Sequence, residues 1–257
     1  MVLVLDEEQS AWLSRMQADW DRIMKPFSLT EGWGPQFVRR GKAFVPIPTL
    51  EPKHMRNAKL VPSRELLLEL LPKGGIIGEV GTQHGYFAKK MHDVIHPTEL
   101  HLFDRTFEAY DAAGLLIAPG IVTKHQGDSA TNLSLFPSGY FDWLYIDADH
   151  SYQGVKRDIE QAVQKIKSSG FLIFNDFTFW SPLEAMSYGV AHAVCELCME
   201  RDWEIFYFAL EPWMYCDVAV RPRTSSGLRT ITPFGLVAAL TRFSPIVRRA
   251  WSKLTLG

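Results

Sequence analysis

Residues Phe141–Asp176, FDWLYIDADHSYQGVKRDIEQAVQKIKSSGFLIFND, decide the fold of this chain. Their pattern indicates a strand, a loop, a helix and a second strand, because two short apolar runs flank a segment with helical spacing. Asp147 and His150 follow the first apolar run, and Asn175 and Asp176 follow the second. Adjacent parallel strands bring such residues together at the carboxyl edge of the sheet, where open α/β folds bind ligands. Carboxylates, an amide and an imidazole at one edge suit a divalent cation and a general base.

The composition is that of a folded protein of ordinary size. The chain has 257 residues, 47% of them hydrophobic and 22% charged, which is enough for one α/β domain with additions. A formal net charge of −2 gives no general case for a nucleic-acid partner. Three cysteines do not make a disulfide framework in a chain of this length, so a reducing compartment is expected. No signal peptide or membrane-spanning run is recognisable, and we expect a soluble cytoplasmic protein.

The basic residues are unevenly placed along the chain. From Arg221 onward there are seven Lys or Arg and no Asp or Glu, whereas the preceding residues hold 20 basic and 29 acidic side chains. The tail is partly amphipathic, so contact with an anionic membrane surface or an acidic partner is one interpretation. A disordered tail, or a helix packed on the acidic body of the protein, is the other. The apolar N-terminal segment and the tail also offer surfaces for a homo-oligomer.

The order of predicted elements divides the chain into three parts. Residues 1–62 form a cap or lid that begins with a helix over Asp6–Phe27, residues 63–222 form an α/β domain, and residues 223–257 form the basic tail. Strands alternate with helices from Gly75 onward, which indicates a mostly parallel sheet. The later elements are predicted as helices over 107–116 and 183–200 and as two closing strands over 203–210 and 213–220. The last two strands are predicted as a hairpin that adds an antiparallel edge strand to the sheet.

Candidate cofactor-binding residues follow the first three strands of this domain. Glu79, Gly81, Thr82 and Gly85 lie in EVGTQHG, between a short apolar strand and a helix. Glycine there lets a cofactor approach the backbone, and the N-terminus of the helix favours negative or polar groups. A tight βα turn is the simpler interpretation of the same glycines.

Two further strand ends carry acids. Asp104 ends the second strand, where an acid can hold the ribose hydroxyls of a nucleoside cofactor. Asp128 and Ser129 follow the third strand and can bind an adenine edge. Each of these residues can instead cap the helix that follows it.

These positions follow the order of the class I S-adenosylmethionine-dependent methyltransferases, which the chain resembles from about Ser63 to Pro222. EVGTQHGY resembles the glycine-rich loop of the metal-dependent catechol and caffeoyl-CoA O-methyltransferases. IDADHSYQGVKRD is more similar to the macrocin-type sugar O-methyltransferases, in which Asp-x-x-His-x-Tyr-x-x-Val follows the fourth strand. The matching residues here are Asp147, His150, Tyr152 and Val155. The resemblance implies a Rossmann-like methyltransferase fold, with a mostly parallel seven-stranded sheet, an antiparallel last strand and helices on both faces.

The same resemblance implies a cofactor, a metal and a base. S-adenosylmethionine would be held by Glu79, Gly81, Thr82, Gly85, Asp104, Asp128, Ser129 and Asp147. Magnesium would be held by Asp147, Asn175 and Asp176, where the resembled families have Asp-Asn or Glu-Asp at the pair and this chain has Asn-Asp. His150 would be the general base that deprotonates a hydroxyl of a small molecule, such as a sugar or another natural product.

Other functions remain open from the sequence. A non-methylating relative that acts with a partner enzyme, like the partner protein of cephalosporin hydroxylase, would keep this fold and metal site. A nicotinamide-dependent oxidoreductase would also use a glycine loop followed by Asp104, although the loop is not G-x-G-x-x-G. His150, Asp147 and Asp176 would have purely structural roles if they cap helices or lie at solvated strand ends.

Overall fold

The computed structural model describes the α/β part of the chain almost continuously. The residues described are 7–8, 11, 14–15, 18, 22, 37–40, 43–46, 48–111, 117, 120–181, 186–211 and 215–223, with only the backbone given for 37–40, 43–46, 180 and 186–187. The chain divides into two compact units, Met1–Arg223 and Thr224–Gly257. All residues of the second unit, and with them the predicted basic tail after Arg223, lie outside the described residues.

The first 62 residues contain helix, strand and turn. The seven described residues between 7 and 22 are helical and exposed, whereas the large apolar residues at helical spacing, Trp12, Met16, Trp20 and Ile23, lie outside the described ones. Strand β1 (Phe37–Arg40) pairs antiparallel with β2 (Ala43–Pro46), and a 3-10 turn spans Pro52–His54.

The remaining elements alternate as the sequence predicts. The strands are β3 Lys59–Val61, β4 Ile76–Val80, β5 Glu99–Asp104, β6 Val122–Gln126, β7 Phe141–Ile146, β8 Ile166–Phe174, β9 Trp180–Ser181, β10 Met186–Ser187, β11 Trp203–Ala209 and β12 Asp217–Pro222. The helices are α1 Arg64–Leu70, α2 Tyr86–Ile95, α3 Ser129–Ser134, α4 Tyr152–Lys165 and α5 Val190–Arg201. The Ser63 hydroxyl caps α1 by accepting a hydrogen bond from the Leu66 amide.

Eight of these strands form one mixed sheet in the order β3-β11-β12-β8-β7-β4-β5-β6. Neighbouring strands are parallel except that β12 is antiparallel to both β8 and β11. The predicted Rossmann-like fold is confirmed, but the predicted number of seven strands is wrong. The additional strand, β3, has three residues and lies within the segment predicted as a cap or lid. It forms because its backbone pairs with β11, and a strand that short has no periodicity to detect.

The antiparallel last strand does not lie at the edge of the sheet, contrary to the sequence-based expectation. Strand β12 lies between β8 and β11, with Val218 opposite both Phe174 and Phe208. Val218, Ala219 and Val220 are fully buried, as a central strand requires. The connection from β11 also runs over residues 210–216 rather than the two residues predicted for the hairpin.

Two predicted helices are partly wrong. Residues 107–111 form a turn closed by a hydrogen bond from the Tyr110 amide to the Phe107 carbonyl, and most of the remainder of this predicted helix lies outside the described residues. The helix predicted over 183–200 begins at Val190 instead. Before it, β9 pairs with β10, and the Gly189 amide donates to the His150 carbonyl. These tertiary bonds hold the preceding backbone out of helical geometry.

Helices cover both faces of the sheet. On one face, α3, α4 and α5 pack on residues such as Phe103, Leu144 and Phe174. On the other, α1 and α2 pack on residues such as Ile77 and Trp143. With both faces covered, the carboxyl edge of the parallel strands is the place left for a ligand. No helix within the described residues is long and apolar enough to cross a membrane.

Candidate active site

A cleft of about 830 Å³ opens at the carboxyl ends of β4, β5, β6 and β7. Its volume lies in the usual range of small-molecule sites, which is roughly 300–1,000 Å³. Nine of the predicted site residues line it: Glu79, Gly81, Thr82, Gly85, Asp104, Asp128, Ser129, Asp147 and His150. Asn175 and Asp176, at the end of β8, reach this group through contacts with Asp147 and His150.

The loop after β4 begins with Gly81, which packs against the backbone that follows the neighbouring strand β7. Gly81 has a φ of +90°, and a Cβ atom at this position would lie 1.9 Å from the Asp147 carbonyl oxygen. A side chain is therefore excluded both by conformation and by space. Gly85, with a φ of +84°, ends the loop and begins α2.

Asp104 holds the shape of this loop from the neighbouring strand. Its Oδ2 accepts hydrogen bonds from the amides of Thr82 (2.9 Å) and Gln83 (2.7 Å). Its Oδ1 accepts from the Thr106 amide at 3.2 Å. The local turn that the sequence indicates is thus present, and the carboxylate lies at the wall of the cleft.

Glu79 lies below the loop as a buried acid at the cleft wall. Burial, together with the nearby charge of Asp147, holds the pKa of Glu79 well above its usual range. Its Oε2 and the hydroxyl of Thr82 are buried and have no hydrogen bond of good geometry among the described residues, although Thr82 lies near enough to lower the pKa of Glu79 in part. Buried polar atoms without a partner are costly, so a ligand that donates hydrogen bonds there would stabilise the protein. The ammonium group of S-adenosylmethionine is such a donor, and these residues therefore fit that cofactor.

Two predicted cofactor-binding residues, Asp128 and Ser129, follow the end of β6. A third residue, Asp158 on α4, contacts Ser129 and was not predicted. Asp128 caps α3, because its Oδ1 accepts a hydrogen bond from the Thr131 amide at 2.8 Å. The Ser129 hydroxyl donates to Oδ1 of Asp158 at 2.6 Å. Asp158 is 3% exposed and lines the cleft. The available signal was its position on α4, where it shares the buried helical stripe with Val155 and Ala162.

Asp147, His150 and Asp176 converge at the other end of the cleft. His150 Nε2 lies 3.3 Å from Oδ1 of Asp147 and 3.5 Å from Oδ2 of Asp176. One side-chain atom from each of the three lies within 4.8 Å of the others, which is close enough to hold a metal ion. Burial, reinforced by the charge of Asp147, raises the pKa of Asp176 to about 6. The His150 ring stacks on Tyr188, with ring centres 4.4 Å apart and planes 10° apart.

Asn175 is beside this cluster but faces it with its nitrogen. Its Nδ2 donates to Oδ1 of Asp147 at 3.0 Å. Its Oδ1 accepts from Nη1 of Arg64 at 3.3 Å and from the hydroxyl of Tyr145 at 3.2 Å. The oxygen predicted to bind magnesium is therefore engaged on the side away from Asp147. The oxygen donors that reach the cluster are the carboxylates of Asp147 and Asp176.

Tyr145 links Asn175 to a second buried acid. The Tyr145 hydroxyl lies 2.6 Å from Oδ2 of Asp217, and burial raises the pKa of Asp217 to about 7. A hydroxyl has one proton, so Tyr145 can donate to Asn175 and remain bonded to Asp217 only when Asp217 is protonated and donates in turn. The raised pKa of Asp217 is consistent with this arrangement.

The site residues lie within a segment that matches a known family model. Residues 79–177, from Glu79 at the end of β4 to the residue after Asp176, match a family model described as a methyltransferase domain. The match supports an S-adenosylmethionine-dependent methyltransferase domain in this segment. The matched residues include the glycine loop, the Asp147–His150 pair and the Asn175–Asp176 pair. No curated protein matches the sequence significantly.

Solved structures resemble this chain at low identity. A candidate O-methyltransferase from Klebsiella pneumoniae is 18% identical, with 63% of this chain and 80% of that chain covered and a TM-score of 0.49. A candidate type 11 methyltransferase from Sulfolobus solfataricus is 15% identical over 60% of this chain and 86% of its own, with a TM-score of 0.43. A ribosomal protein L11 methylase from Lactobacillus delbrueckii subsp. bulgaricus is 16% identical over 62% and 77%, with a TM-score of 0.44.

Proposed function

We propose that this methyltransferase transfers a methyl group from S-adenosylmethionine to a hydroxyl of a small molecule, with His150 as general base and a divalent cation, Mg²⁺, at Asp147 and Asp176. The observation that carries the proposal is the convergence of two carboxylates and an imidazole at one end of the cleft. A sugar or another natural product as acceptor is supported by the resemblance of IDADHSYQGVKRD to the macrocin type. Three free cysteines support a reducing, cytoplasmic setting.

The end of the cleft formed by β4, β5 and β6 would bind S-adenosylmethionine and orient its methyl group. When bound, S-adenosylmethionine supplies a methyl group that its sulfonium has already activated, so transfer needs alignment more than covalent help. Glu79 and Thr82 offer acceptor atoms to its ammonium group, and Asp104 lies where a ribose would contact the wall. Gly81 and Gly85 keep side chains out of the space beside them.

His150 would accept the proton of the acceptor hydroxyl. An imidazole titrates near neutral pH, which suits a general base. The carboxylates of Asp147 and Asp176 beside Nε2 favour the protonated ring that results. Stacking on Tyr188 fixes the plane of the ring, so that the proton acceptor is held in place before the acceptor hydroxyl arrives.

Asp147 and Asp176 fit a hard divalent cation. Carboxylate oxygens are the ligands that Mg²⁺ prefers, and a cation bound there lowers the pKa of a nearby hydroxyl. Nitrogen is a poor ligand for Mg²⁺ and a good one for Zn²⁺ or Fe²⁺. With Mg²⁺, His150 therefore stays available as a base. Asn175 remains a predicted third ligand, and its amide would have to turn away from Arg64 and Tyr145 to present oxygen.

The variant His150→Ala separates the two roles that its position allows. As a base, His150 contributes to turnover, so the variant should lose about 10²–10⁴-fold in kcat. Binding of Mg²⁺ and of S-adenosylhomocysteine, measured by calorimetry, should stay within about twofold because neither requires the imidazole. The variant His92→Ala, in α2 and outside the cleft, is the matched control and should behave as wild type.

Two results would count against this proposal. Unchanged turnover in His150→Ala would remove His150 as the base. Loss of metal binding together with turnover would make His150 a ligand instead, and the metal would then belong to the nitrogen-binding transition metals. Screening hydroxyl acceptors with labelled S-adenosylmethionine tests the reaction type itself. Cofactor binding without any methylated product would favour a non-methylating relative.

A further inference from the structure

We propose that Arg64 is a positioning residue for the candidate cation site, because it decides which atom of the Asn175 amide faces Asp147. The proposal rests on the Mg²⁺ site of the proposed function, and it does not depend on the acceptor or on His150 as base. The family resemblance assigns Arg64 no role. With Arg64 in place, the carboxylates of Asp147 and Asp176 form the site and the amide oxygen is kept out of it.

The guanidinium of Arg64 is held at the wall of the cleft by three different parts of the chain. Arg64 is the first residue of α1 and lines the cleft. Its Nη1 donates to Oδ1 of Asn175 at 3.3 Å. Its Nε lies 3.5 Å from Oε2 of Glu211, in the connection between β11 and β12, and its Cζ lies 5.2 Å from the centre of the Phe87 ring. An ion pair and a cation–π contact thus fix the group that meets Asn175.

The two neighbours of the Asn175 amide leave it one orientation. A guanidinium only donates hydrogen bonds, and an ionised carboxylate only accepts them. An amide between Arg64 and Asp147 therefore turns its oxygen to Arg64 and its nitrogen to Asp147, where Nδ2 lies 3.0 Å from Oδ1. Asn175 is 7% exposed, so turning the amide would leave buried polar atoms facing groups of their own kind.

Tyr145 is a second donor near the Asn175 oxygen, but it has a closer partner. Its hydroxyl lies 3.2 Å from Oδ1 of Asn175 and 2.6 Å from Oδ2 of Asp217. A hydroxyl has one proton, so Tyr145 donates to Asp217 when that acid is ionised, and Arg64 is then the donor that serves Asn175 among the described residues. The test is therefore made at about pH 8, above the pKa of about 7 to which burial raises Asp217.

The orientation of the amide determines how many oxygen ligands the site offers. With nitrogen toward Asp147, the site offers the carboxylates of Asp147 and Asp176, and with oxygen there it would offer a third, neutral ligand. Mg²⁺ takes oxygen ligands, and the affinity of such sites depends on the ligand set. Without the Arg64 donor, the Asn175 amide can turn when Mg²⁺ binds. Loss of Arg64 should therefore strengthen Mg²⁺ binding, which is the opposite of what structural damage would produce.

Calorimetric titration of Mg²⁺ into the full-length protein tests this consequence. Arg64→Met keeps a long side chain but donates no hydrogen bond, and it should bind Mg²⁺ about 10-fold more tightly than wild type. Part of the gain comes from the lost positive charge, so the same substitution is also made in Asn175→Ala, which has no amide to turn. There the gain should fall to about twofold to threefold. Equal gains in the two backgrounds would overturn the proposal.

The Asn175 amide provides a second measurement by NMR. In the metal-free protein its side-chain protons should exchange with water about 10-fold faster in Arg64→Met than in wild type, because the amide is then held at one end only. In wild type, which needs no substitution, the amide should keep its orientation when Mg²⁺ is added. Equal exchange rates, or an amide that turns in wild type, would overturn the proposal. A wild type that binds no Mg²⁺ would instead overturn the cation site of the proposed function, and the exchange rates would still decide the role of Arg64.

Discussion

At the scale of single residues, the site depends on groups whose geometry leaves few alternatives. Gly81 is the clearest case, because the Asp147 backbone occupies the space in which its side chain would lie. Asn175 is another, because Arg64 and Tyr145 both donate to its oxygen and leave its nitrogen for Asp147. In the first case a neighbouring backbone excludes a side chain, and in the second case neighbouring side chains set the orientation of an amide. Local propensity determines neither.

The variant Gly81→Ala should be strongly destabilised. It combines a left-handed backbone conformation with a clash against backbone atoms that cannot move aside, and we expect a loss of about 3–5 kcal/mol in the free energy of unfolding. Gly120→Ala is the matched control. Gly120 has a φ of +87° but no described atom within 4 Å of the position that an added methyl group would occupy, so it should lose only about 1–2 kcal/mol. Urea unfolding of both variants measures the difference, and equal losses would show that the contact with Asp147 is unimportant.

At the scale of elements, β12 places a buried acid behind the site. It begins at Asp217, which bonds Tyr145 on β7 across the intervening strand β8. The strand is fully buried at Val218–Val220, and Asp217 itself is 1% exposed. A charge there is costly, which is why its pKa is raised.

Asp217 should make the free energy of unfolding of the wild-type protein fall as pH rises. Its ordinary pKa is near 3.8 and its folded pKa is about 7, so the folded protein binds the extra proton between these values. Its contribution is therefore fully present below about pH 4 and is lost as pH rises through about 7. The stability of Asp217→Asn, minus that of wild type, should rise across this window in urea unfolding. Glu160→Gln serves as control, and a difference that is constant with pH would contradict the raised pKa.

The sequence predicts the elements that have strong local patterns. The short apolar strand and the helix predicted on either side of the glycine loop are found, as Ile76–Val80 and Tyr86–Ile95. What the sequence does not predict depends on partners distant in the chain. Strand β3 exists through pairing with β11, the helix after Gly189 starts late because His150 binds that glycine, and the Asn175 amide is turned by Arg64 and Tyr145.

At the scale of the whole molecule, one sheet edge gathers the candidate chemistry. Residues from β4, β5, β6, β7 and β8 meet there although they are spread from Glu79 to Asp176, nearly the same range that matches the methyltransferase family. All the residues that line the cleft lie within the first compact unit, Met1–Arg223. Cofactor binding should therefore be a property of this unit.

Removal of residues 224–257 tests this expectation. The shortened chain should bind S-adenosylhomocysteine within about twofold of the full chain, because no residue of the cleft is removed. Flotation of the full and shortened chains with vesicles of anionic lipids is a second measurement on the same two proteins. Greater flotation of the full chain would support a membrane role for the basic tail, and equal flotation would argue against it. A large loss of cofactor affinity would show that the tail contributes to the site.

The contact between Gly81 and the Asp147 carbonyl also bears on how such an enzyme can be re-engineered. Because no side chain fits between the two loops, the proposed cofactor surface and the proposed catalytic surface form a single wall. Changes on either loop would be transmitted to the other and lower activity in general. Altered acceptor choice is therefore better sought outside these two loops and away from Tyr188, whose stacking holds the His150 ring.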